Sequence, residues 1–576
     1  MKPKGQNRVL NVRHRLGRWV CAAALSSAVC VGGGAPTPAI VVTFHPLATK
    51  AGVQLLNAGG NAFDAFVAAT FAEYVINEGG TSAAGSLGAL IYEAKTGETK
   101  YLDAEFDSVY DPNGAWNHLK AWTAEDAESG KAVLVPGAVA GLEAMSRRYG
   151  KKGFAADLEP AIVLARDGFK VPGFYRASVI VNADLLKSTE YGKRTFFPDG
   201  HALSSGAVLR QPELAGFLEK LAQRGAAYMY RGEWADECVK AVRARGGRMT
   251  VADLARYQPS WRDAREINYR GYEVHSSSGR AFGGLWCLLA LKTLEHTNVS
   301  RMGHFSTSAD ALELMVRTAR ETLAESWIFD YRLLDQPALV ASRLTSTYSA
   351  GIWNRVSAKS ATRPRRSGSS HSYQITVIDH EGNAVTGTNT HESLAWGSGM
   401  FIQGVPLNTA GRIPWGTNPG ERQISPFSMH LITRSGKLVA ASGSFSSSIL
   451  EASFQFLVNL IDYRLSVDDV VSRPRFGTFP YDPPAALNSS ITARLAANAP
   501  NWLDPRVSSD IVQTLRSRGL YFQQTMPAGQ SMWVDTGMGS VVKLQPDGTP
   551  EGANTQWVGI SGPPGSIETV PVVVAH

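Results

Sequence analysis

The chain has 576 residues, of which 44% are hydrophobic and 19% charged, so it can bury a large core and has the composition of a globular protein. Its net charge of +7 comes from 57 basic and 50 acidic residues, and the first 39 positions hold six of the basic residues and no acid. The remainder is close to neutral, so its bulk charge gives no indication of nucleic-acid binding.

The first 39 residues have the layout of a secretory signal peptide. A basic stretch ends at Arg18, the apolar run Trp19–Val31 follows, and small residues stand at Ala35 and Ala39. The apolar run is too short to span a bilayer, and no other segment is apolar for long enough. We therefore expect a signal peptide at residues 1–39, no membrane span, and a periplasmic or secreted protein. If this segment is not a signal, the protein is cytoplasmic.

The cysteines give no sign of a metal site or a disulfide scaffold. Cys21 and Cys30 lie inside the expected signal segment, and the remaining pair, Cys238 and Cys287, lacks metal-ligand spacing. We expect both of the latter in the core.

The N-terminal half has mainly helical patterns. One apolar helical pattern stops at Gly59–Asn61, and a second helix is predicted over Asp64–Val75. Two strands are then predicted around a turn at Lys95–Gly97. From Pro136 to about Ala350 the pattern is mostly helical, with one short β interruption, "INYRGYEVHSSS".

The C-terminal half has mainly strand patterns. It follows a Ser-, Arg- and Gly-rich run, Ser357–Ser370, that cannot bury enough apolar surface to order itself strongly. Hairpins are predicted with turns at Glu381–Asn383, Ser435–Gly436 and Pro546–Gly548. One helix, "SILEASFQFLVNLIDY", lies among them. Neither half forms a complete sheet by itself, so we expect strands of both halves to share one core.

Several motifs resemble those of the γ-glutamyltransferase family, in the family's order. They are "HPLATKAGVQLLNAGGNAFDAFVAA", "VLVPGAVAGLEAMSRRYGK", "PAIVLARDGFKV", "FGGLWCLLALKTLE", "VIDHEGNAV", "GSGMFIQGVPLN", "FLVNLIDYRLSVDDVVSRPRFGTFP" and "SVVKLQPDGTPEGAN". They span roughly residues 40 to 560, and the chain is identified as a divergent member. The resemblance implies an α+β fold, the four-layer αββα sandwich of the N-terminal-nucleophile hydrolases.

The family's chemistry implies a zymogen that cuts itself. We expect a large-subunit region at residues 40–371 and a small-subunit region at 372–576 that begins with the nucleophile; the two fragments would remain partners. The freed residue attacks an amide carbonyl, and its own α-amino group takes the hydroxyl proton. The expected substrate is a small-molecule amide or a peptide, in the chemistry of glutathione metabolism. No metal or cofactor is needed.

The nucleophile is expected at Ser372. By letters, Ser369–Ser370–His371 looks like the family's Thr-Thr-His, but the family's nucleophile stands seven residues before the Asp of its "VVD…GN" strand, here Asp379. Strand alternation also starts at Ser372, and a strand holds a side chain more rigidly than a Ser/Gly coil does. Ser369 or Ser370 remains an alternative, as does the absence of any nucleophilic serine.

Two residues after the hairpin match positions near the family's nucleophile. Thr390 stands eighteen residues after Ser372, where the family has a Thr that hydrogen-bonds the nucleophile; otherwise it is an ordinary strand residue. Glu392 falls where members carry Asn or Glu near the substrate, although an acidic residue in a hairpin is more often exposed.

Substrate recognition departs from the family pattern at several positions. The family's Arg for the glutamyl α-carboxylate aligns with Glu105, which would repel that carboxylate. The residues that hold the α-amino group align near Ala410 and Ile413, and a Ser-Ser pair becomes Arg422–Gln423. Arg422 could supply a relocated carboxylate contact, or it is a solvated loop charge.

In the family, the backbone N–H groups of a Gly-Gly pair form the oxyanion hole, and this pair aligns with Ser446–Ser447 here. Backbone N–H donors survive this change, but each serine adds a Cβ where the backbone needs glycine's freedom.

The expected activity is a γ-glutamyltransferase-like amide hydrolase or acyltransferase that cleaves or transfers a γ-glutamyl or other acyl group through a Ser acyl-enzyme. Two alternatives stay open: an acylase-like hydrolase of non-glutamyl amides, and an uncleaved, non-catalytic homologue.

Overall fold

The structure is a computed structural model that describes residues 38–111, 126, 129–359, 372–392, 395–412, 418–446, 448–477, 501–524, 537–555 and 573–575. The expected signal peptide, with Cys21 and Cys30, lies outside these ranges except for its last two positions. The serines Ser369 and Ser370 also lie outside them.

The strands are numbered in chain order. They are β1 Ala39–Val42, β2 Ser86–Glu93, β3 Glu98–Ala104, β4 Phe169–Lys170, β5 Val208–Leu209, β6 Ser260–Asp263, β7 Arg265–Tyr269, β8 Tyr272–Ser276, β9 Ser372–Ile378, β10 Ala384–Thr390, β11 Phe401–Ile402, β12 Val405–Pro406, β13 Ser428–Arg434, β14 Lys437–Phe445, β15 Phe476–Gly477, β16 Asn501–Leu503, β17 Phe522–Gln523, β18 Met538–Leu544, β19 Pro550–Asn554 and β20 Val573–Ala575.

The α-helices are numbered in the same way. They are α1 Pro46–Asn57, α2 Ala62–Ile76, α3 Ala138–Tyr149, α4 Phe154–Asp167, α5 Gly173–Val181, α6 Ala183–Lys187, α7 Glu190–Phe196, α8 Pro212–Arg224, α9 Ala227–Arg231, α10 Glu233–Ala244, α11 Val251–Arg256, α12 Phe282–Leu294, α13 Ala309–Leu323, α14 Tyr331–Leu334, α15 Pro337–Arg343, α16 Ser346–Ser357, α17 Ile449–Ile461, α18 Val467–Ser472 and α19 Ser509–Ser517.

Two antiparallel sheets dominate the described part of the chain. The first sheet has the order β20-β1-β9-β10-β2-β3-β6, and the second has the order β19-β18-β14-β13-β8-β7. Each sheet combines strands from before and after Ser372. The prediction that strands of the two halves share one core is therefore confirmed.

Local sequence signals place most elements correctly. Helix α1 ends before Gly59, as glycine's left-handed conformation requires, and α2 covers the predicted helix. The predicted hairpins are β2–β3, β9–β10, β13–β14 and β18–β19. Strand β6 was not predicted, because its four residues show no apolar alternation.

Three apolar clusters connect these elements. The largest joins the first sheet to helices, for example Ile375 and Val377 to Phe66 of α2. Another joins the second sheet to α12 and α17. A smaller cluster contains residues of both sheets, such as Ile40 and Leu431. The fold is thus a mixed helix-and-sheet structure.

Cys238 and Cys287 are buried and free, as expected for core residues. In the described ranges, no helix combines the length and apolar character that a membrane crossing requires.

Candidate active site

A pair of buried hydroxyls lies at the open end of the β9–β10 hairpin, opposite its turn; this end is called the head of the hairpin. Ser372 opens β9 and Thr390 closes β10, and the antiparallel register places them directly opposite each other. The Ser372 Oγ donates a hydrogen bond of 2.9 Å to Thr390 Oγ1. A side chain held in this way on a strand has few alternative positions, which suits a nucleophile.

The Thr390 hydroxyl also receives a second hydrogen bond. The backbone N–H of Glu392 donates to Thr390 Oγ1 at 2.9 Å. Glu392 is buried and has a φ of 45°, so the chain turns sharply just after β10. The alternative that Glu392 is an exposed hairpin residue is therefore wrong.

Polar pairs continue along the same face of the hairpin. Gln374 Nε2 donates to Thr386 Oγ1 at 2.7 Å, and its Oε1 accepts from Thr388 Oγ1 at 2.5 Å. Thr376 contacts Thr386 at 3.0 Å and Ser540 of the second sheet at 3.1 Å. These buried, mutually satisfied groups fix the register that pairs the two hydroxyls at the head of the hairpin.

The polar row extends sideways across the first sheet. Thr390 pairs on its other side with Ser86, the first residue of β2. Glu105 follows the end of β3, and the Ser86 side chain lies beside its carboxyl group. Because directly paired residues point to the same face of a sheet, Ser372, Thr390 and Ser86 form one row, and Glu105 lies at its end beside Ser86.

Glu105 is a buried carboxyl group. It is 2% exposed, and its Oε1 accepts a hydrogen bond of 2.9 Å from the N–H of Phe106. Burial raises its pKa to about 7, and the Ser86 and Phe106 donors oppose this rise. Near neutral pH it can therefore be either a hydrogen-bond donor or an anion.

Arg422 is not a solvated loop charge, and its guanidinium is not available to bind a substrate carboxylate. Its Nε bonds Asp107 at 2.6 Å, its Nη1 bonds the Asp103 carboxylate at 2.8 Å, and its Nη2 bonds the Gln258 carbonyl at 2.8 Å. The guanidinium also lies over the Tyr257 ring. Although burial acts against ionisation, Arg422 and a second arginine hold the pKa of Asp103 below its usual value.

Gln423 is buried beside the Glu105 segment. Its N–H donates to the Phe106 carbonyl at 2.8 Å, and its Nε2 donates to Ser108 Oγ at 3.1 Å. Together with the bridge between Arg422 and Asp107, these bonds hold the chain that follows β3. Ala410 packs in a small apolar cluster with Phe106. The prediction at Ile413 lies outside the described residues.

Ser446 follows the end of β14 with a φ of 84°, a conformation that favours glycine. The expected conflict between its Cβ and the backbone is therefore present. The preceding residue, Phe445, stacks on Tyr373 with ring centroids 5.9 Å apart, which brings this turn to the head of β9. The turn leads into α17, whose N-terminus carries a positive partial charge. Ser447 lies outside the described residues.

The structure thus brings Ser372, Thr390, Glu392 and Glu105 to one end of the first sheet. Arg422 and Gln423 instead bond the end of β3 and the segment that follows it. Sequence reasoning missed Ser86 and the two aspartates that bind Arg422. Strand alternation could have indicated on which face of a sheet each of these side chains lies, but not which strands are neighbours. Within the described ranges, no three His, Cys, Asp or Glu side chains gather as a metal site.

A family model and individual relatives point to the same protein family. The model of the gamma-glutamyltranspeptidase family matches residues 48–553. The glutathione hydrolase proenzyme of Escherichia coli K12 is 29% identical over 516 residues, covering 80% of this chain and 87% of that protein. The acylase ACY 1 proenzyme of Pseudomonas sp. strain V22 is 29% identical over 475 residues, covering 76% and 82%.

Solved structures share the fold. The cephalosporin acylase of Bacillus halodurans superposes with a TM-score of 0.76 at 22% identity, covering 91% of this chain and 96% of that one. The γ-glutamyltranspeptidase of Helicobacter pylori gives a TM-score of 0.51 at 25% identity, covering 57% and 93%. The chain therefore belongs to the γ-glutamyltranspeptidase family and is an enzyme of the N-terminal-nucleophile hydrolase type.

Proposed function

We propose that this protein is a self-processing amide hydrolase or acyltransferase whose nucleophile is Ser372. The hydrogen bond of 2.9 Å between Ser372 Oγ and Thr390 Oγ1 carries this proposal, because it fixes a hydroxyl at the first residue of an inner strand. Belonging to a family that includes proenzymes supports self-processing.

Processing would begin with the Ser372 hydroxyl. Its oxygen attacks the carbonyl carbon of His371, the peptide C–N bond breaks, and the nitrogen takes the hydroxyl proton to become the new α-amine. Water then hydrolyses the ester and releases a carboxylate at residue 371. The products are a large fragment and a small fragment that begins with Ser372.

In turnover, the new α-amine would take the Ser372 proton while the oxygen attacks the substrate's acyl carbon. Thr390 orients the hydroxyl, and the backbone N–H groups of Ser446 and Ser447, which precede α17 in the sequence, stabilise the oxyanion. The leaving amine receives the proton. Water or an acceptor amine then releases the acyl group from the ester.

The architecture we propose around this site is a four-layer αββα sandwich. It is supported by the apolar cluster that both sheets share and by the two larger clusters that join each sheet to helices. In such a sandwich, the row that begins at Ser372 faces the space between the sheets.

The proposal is tested by N-terminal sequencing of the purified protein after denaturing electrophoresis. We expect a small fragment that begins at Ser372. Ser372→Ala should stay uncut, whereas Ser372→Thr, which keeps a hydroxyl, should still be cut. A fragment beginning at Ser369 or Ser370 would assign the nucleophile there. Active wild-type protein that remains one chain would rule out self-processing.

A second candidate is an acylase-like hydrolase of non-glutamyl amides. Two observations favour it: Glu105 places a carboxyl group in the polar row, and the Arg422 guanidinium is already bound by Asp103 and Asp107. Neither residue offers a positive charge to a glutamyl α-carboxylate. Release of product from other acyl amides, with γ-glutamyl p-nitroanilide inert, would identify this activity.

We further propose that residues 1–39 direct export to the periplasm or the medium. Fractionation of cells that produce the full chain would test this proposal, with mature protein in the cytoplasm alone as the contradicting result.

A further inference from the structure

We infer that Glu105 forms a subsite for a cationic group, such as an ammonium, on the acyl part of the substrate. This inference rests on the proposed function for the acyl chemistry and adds the class of acyl group that the site accepts.

The first observation is the position of Glu105 relative to the hydroxyl pair. Ser372 and Glu105 stand at opposite ends of the row that crosses β9, β10 and β2 and reaches the end of β3. Three strand spacings separate their backbones by about 14 Å. In the proposed site, an acyl chain of several carbon atoms extends from Ser372 along this row, past Thr390 and Ser86, towards the Glu105 carboxyl group.

The second observation is that the carboxyl group has capacity for another partner. Its Oε1 accepts from the Phe106 N–H, but Oε2 makes no hydrogen bond of normal geometry with a described residue. The Ser86 hydroxyl lies beside the carboxyl group but outside normal hydrogen-bond geometry, so a ligand N–H⁺ would satisfy Oε2 better than Ser86 does. A ligand carboxylate would instead add a second negative charge.

The third observation is the charge balance around Glu105. Arg422 bonds Asp103 and Asp107, and Arg262 lies 3.4 Å from Asp103. Two guanidinium groups therefore face two aspartates, and no arginine of this group bonds Glu105. Glu105 therefore has no cationic partner in direct contact among the described residues, and Arg422 acts on it only from a distance, which favours a ligand with a positive charge.

Binding of a cation should strengthen as the pH rises through about 7, because burial raises the pKa of Glu105 to that value. Above it the carboxyl group is ionised, whereas an alkylammonium stays charged up to a pH of about 10. The other titratable and charged groups beside Glu105 are Asp103, Arg422, Tyr101 and Tyr257, whose hydroxyl donates to the Glu105 carbonyl at 2.6 Å and which burial keeps protonated. Burial keeps the Tyr101 phenol protonated, and Asp103 pairs with Arg422.

The kinetic test compares four matched p-nitroanilides: butanoyl, 4-aminobutanoyl, glutaryl and γ-glutamyl. They carry, in this order, neither charge, an amine alone, a carboxylate alone, and both. We expect kcat/KM for 4-aminobutanoyl to exceed that for butanoyl and glutaryl by about tenfold or more, the usual effect of a charge-assisted hydrogen bond. A 6-aminohexanoyl substrate tests the chain length.

Glu105→Gln should remove the preference for the amine while it keeps the side-chain shape, and Glu105→Arg should reverse it in favour of glutaryl. The matched control is Glu98→Gln, the same change at an exposed position of β3, which should leave the preference unchanged. Equal kcat/KM for butanoyl and 4-aminobutanoyl in the wild type would overturn the inference and leave the proposed function intact.

A binding test separates the two proposals, because 4-aminobutanol cannot be hydrolysed. We expect calorimetry with purified protein to show binding at pH 8 that is about tenfold weaker at pH 6 and about tenfold weaker in Glu105→Gln. Such binding by protein that never cuts itself would support the subsite while the proposed function fails. Failure of wild-type protein to bind 4-aminobutanol, or equal affinity of wild type and variant, would contradict the subsite.

Discussion

At the residue scale, the site depends on hydroxyl groups placed by strand register. Thr390 has one oxygen that accepts from both Ser372 and the Glu392 N–H, so it links the nucleophile candidate to the turn after β10. Ser446 shows the opposite situation, since its side chain contributes strain to the turn whose backbone N–H groups we propose as oxyanion donors.

Thr390→Ala should slow both chain cleavage and turnover by about tenfold to a hundredfold, because Ser372 loses its orienting partner. Thr390→Ser keeps the oxygen and should retain most of both rates. The rate of fragment appearance after synthesis measures the effect. Thr388→Ala is the matched control on the same face of β10: it should reduce stability by about 1–2 kcal/mol through its lost bond to Gln374. Equal cleavage rates in Thr390→Ala and wild type would contradict the orienting role.

Ser446→Gly should stabilise the protein by about 1 kcal/mol, because glycine adopts a positive φ without a Cβ penalty. Activity should be kept or increased, since the backbone donors remain. Thermal unfolding and kcat/KM are the measurements. Ser435→Gly, also at a positive φ but in the β13–β14 turn, should stabilise similarly without affecting kcat/KM. A lower melting temperature for Ser446→Gly would show that the serine side chain makes a compensating contact.

At the element scale, the β9–β10 hairpin and helix α2 are fastened by one carboxylate. Asp379 Oδ1 accepts from the N–H groups of Glu381 and Asn383, and Oδ2 accepts from the N–H of Ala62 at 2.9 Å. Ala62 is the first residue of α2, so a turn residue of the hairpin caps a helix from far away in sequence. This anchor fixes the far end of the hairpin whose head carries the hydroxyl pair.

Asp379→Ala should lower the free energy of unfolding by about 3 kcal/mol, because several buried donors lose their acceptor. Denaturant titration measures the loss. Asp547→Ala, which removes a similar turn contact at the exposed β18–β19 turn, should change stability little. If both variants unfold at the same denaturant concentration as wild type, the anchor is not important for stability.

At the scale of the whole molecule, the two sides of the proposed scission point are interleaved. In the first sheet, β9 lies between β1 and β10, and β10 lies between β9 and β2; in the second sheet, β13 lies between β8 and β14. Separation of the two fragments would break ladder hydrogen bonds in both sheets and expose all three apolar clusters. Scission should therefore leave the architecture intact.

The fragments of 371 and 205 residues implied by cleavage before Ser372 should co-elute in gel filtration under native conditions. They should separate only in denaturant. The comparison is the uncut Ser372→Ala protein, which should elute at the same volume. Elution of the small fragment alone in native buffer would contradict the interleaved arrangement.

The sequence by itself determined most of the elements and the family, because apolar periodicity, turn residues and motif order are local properties of the chain. It also placed Ser372 and Thr390, since both belong to one hairpin whose register follows from its turn. Only the tertiary structure decided that Ser86 and Glu105 continue this row, that Asp103 and Asp107 bind Arg422, and that Ser446 has a positive φ. Those relations depend on which distant strands become neighbours, and the packing of a shared core decides that.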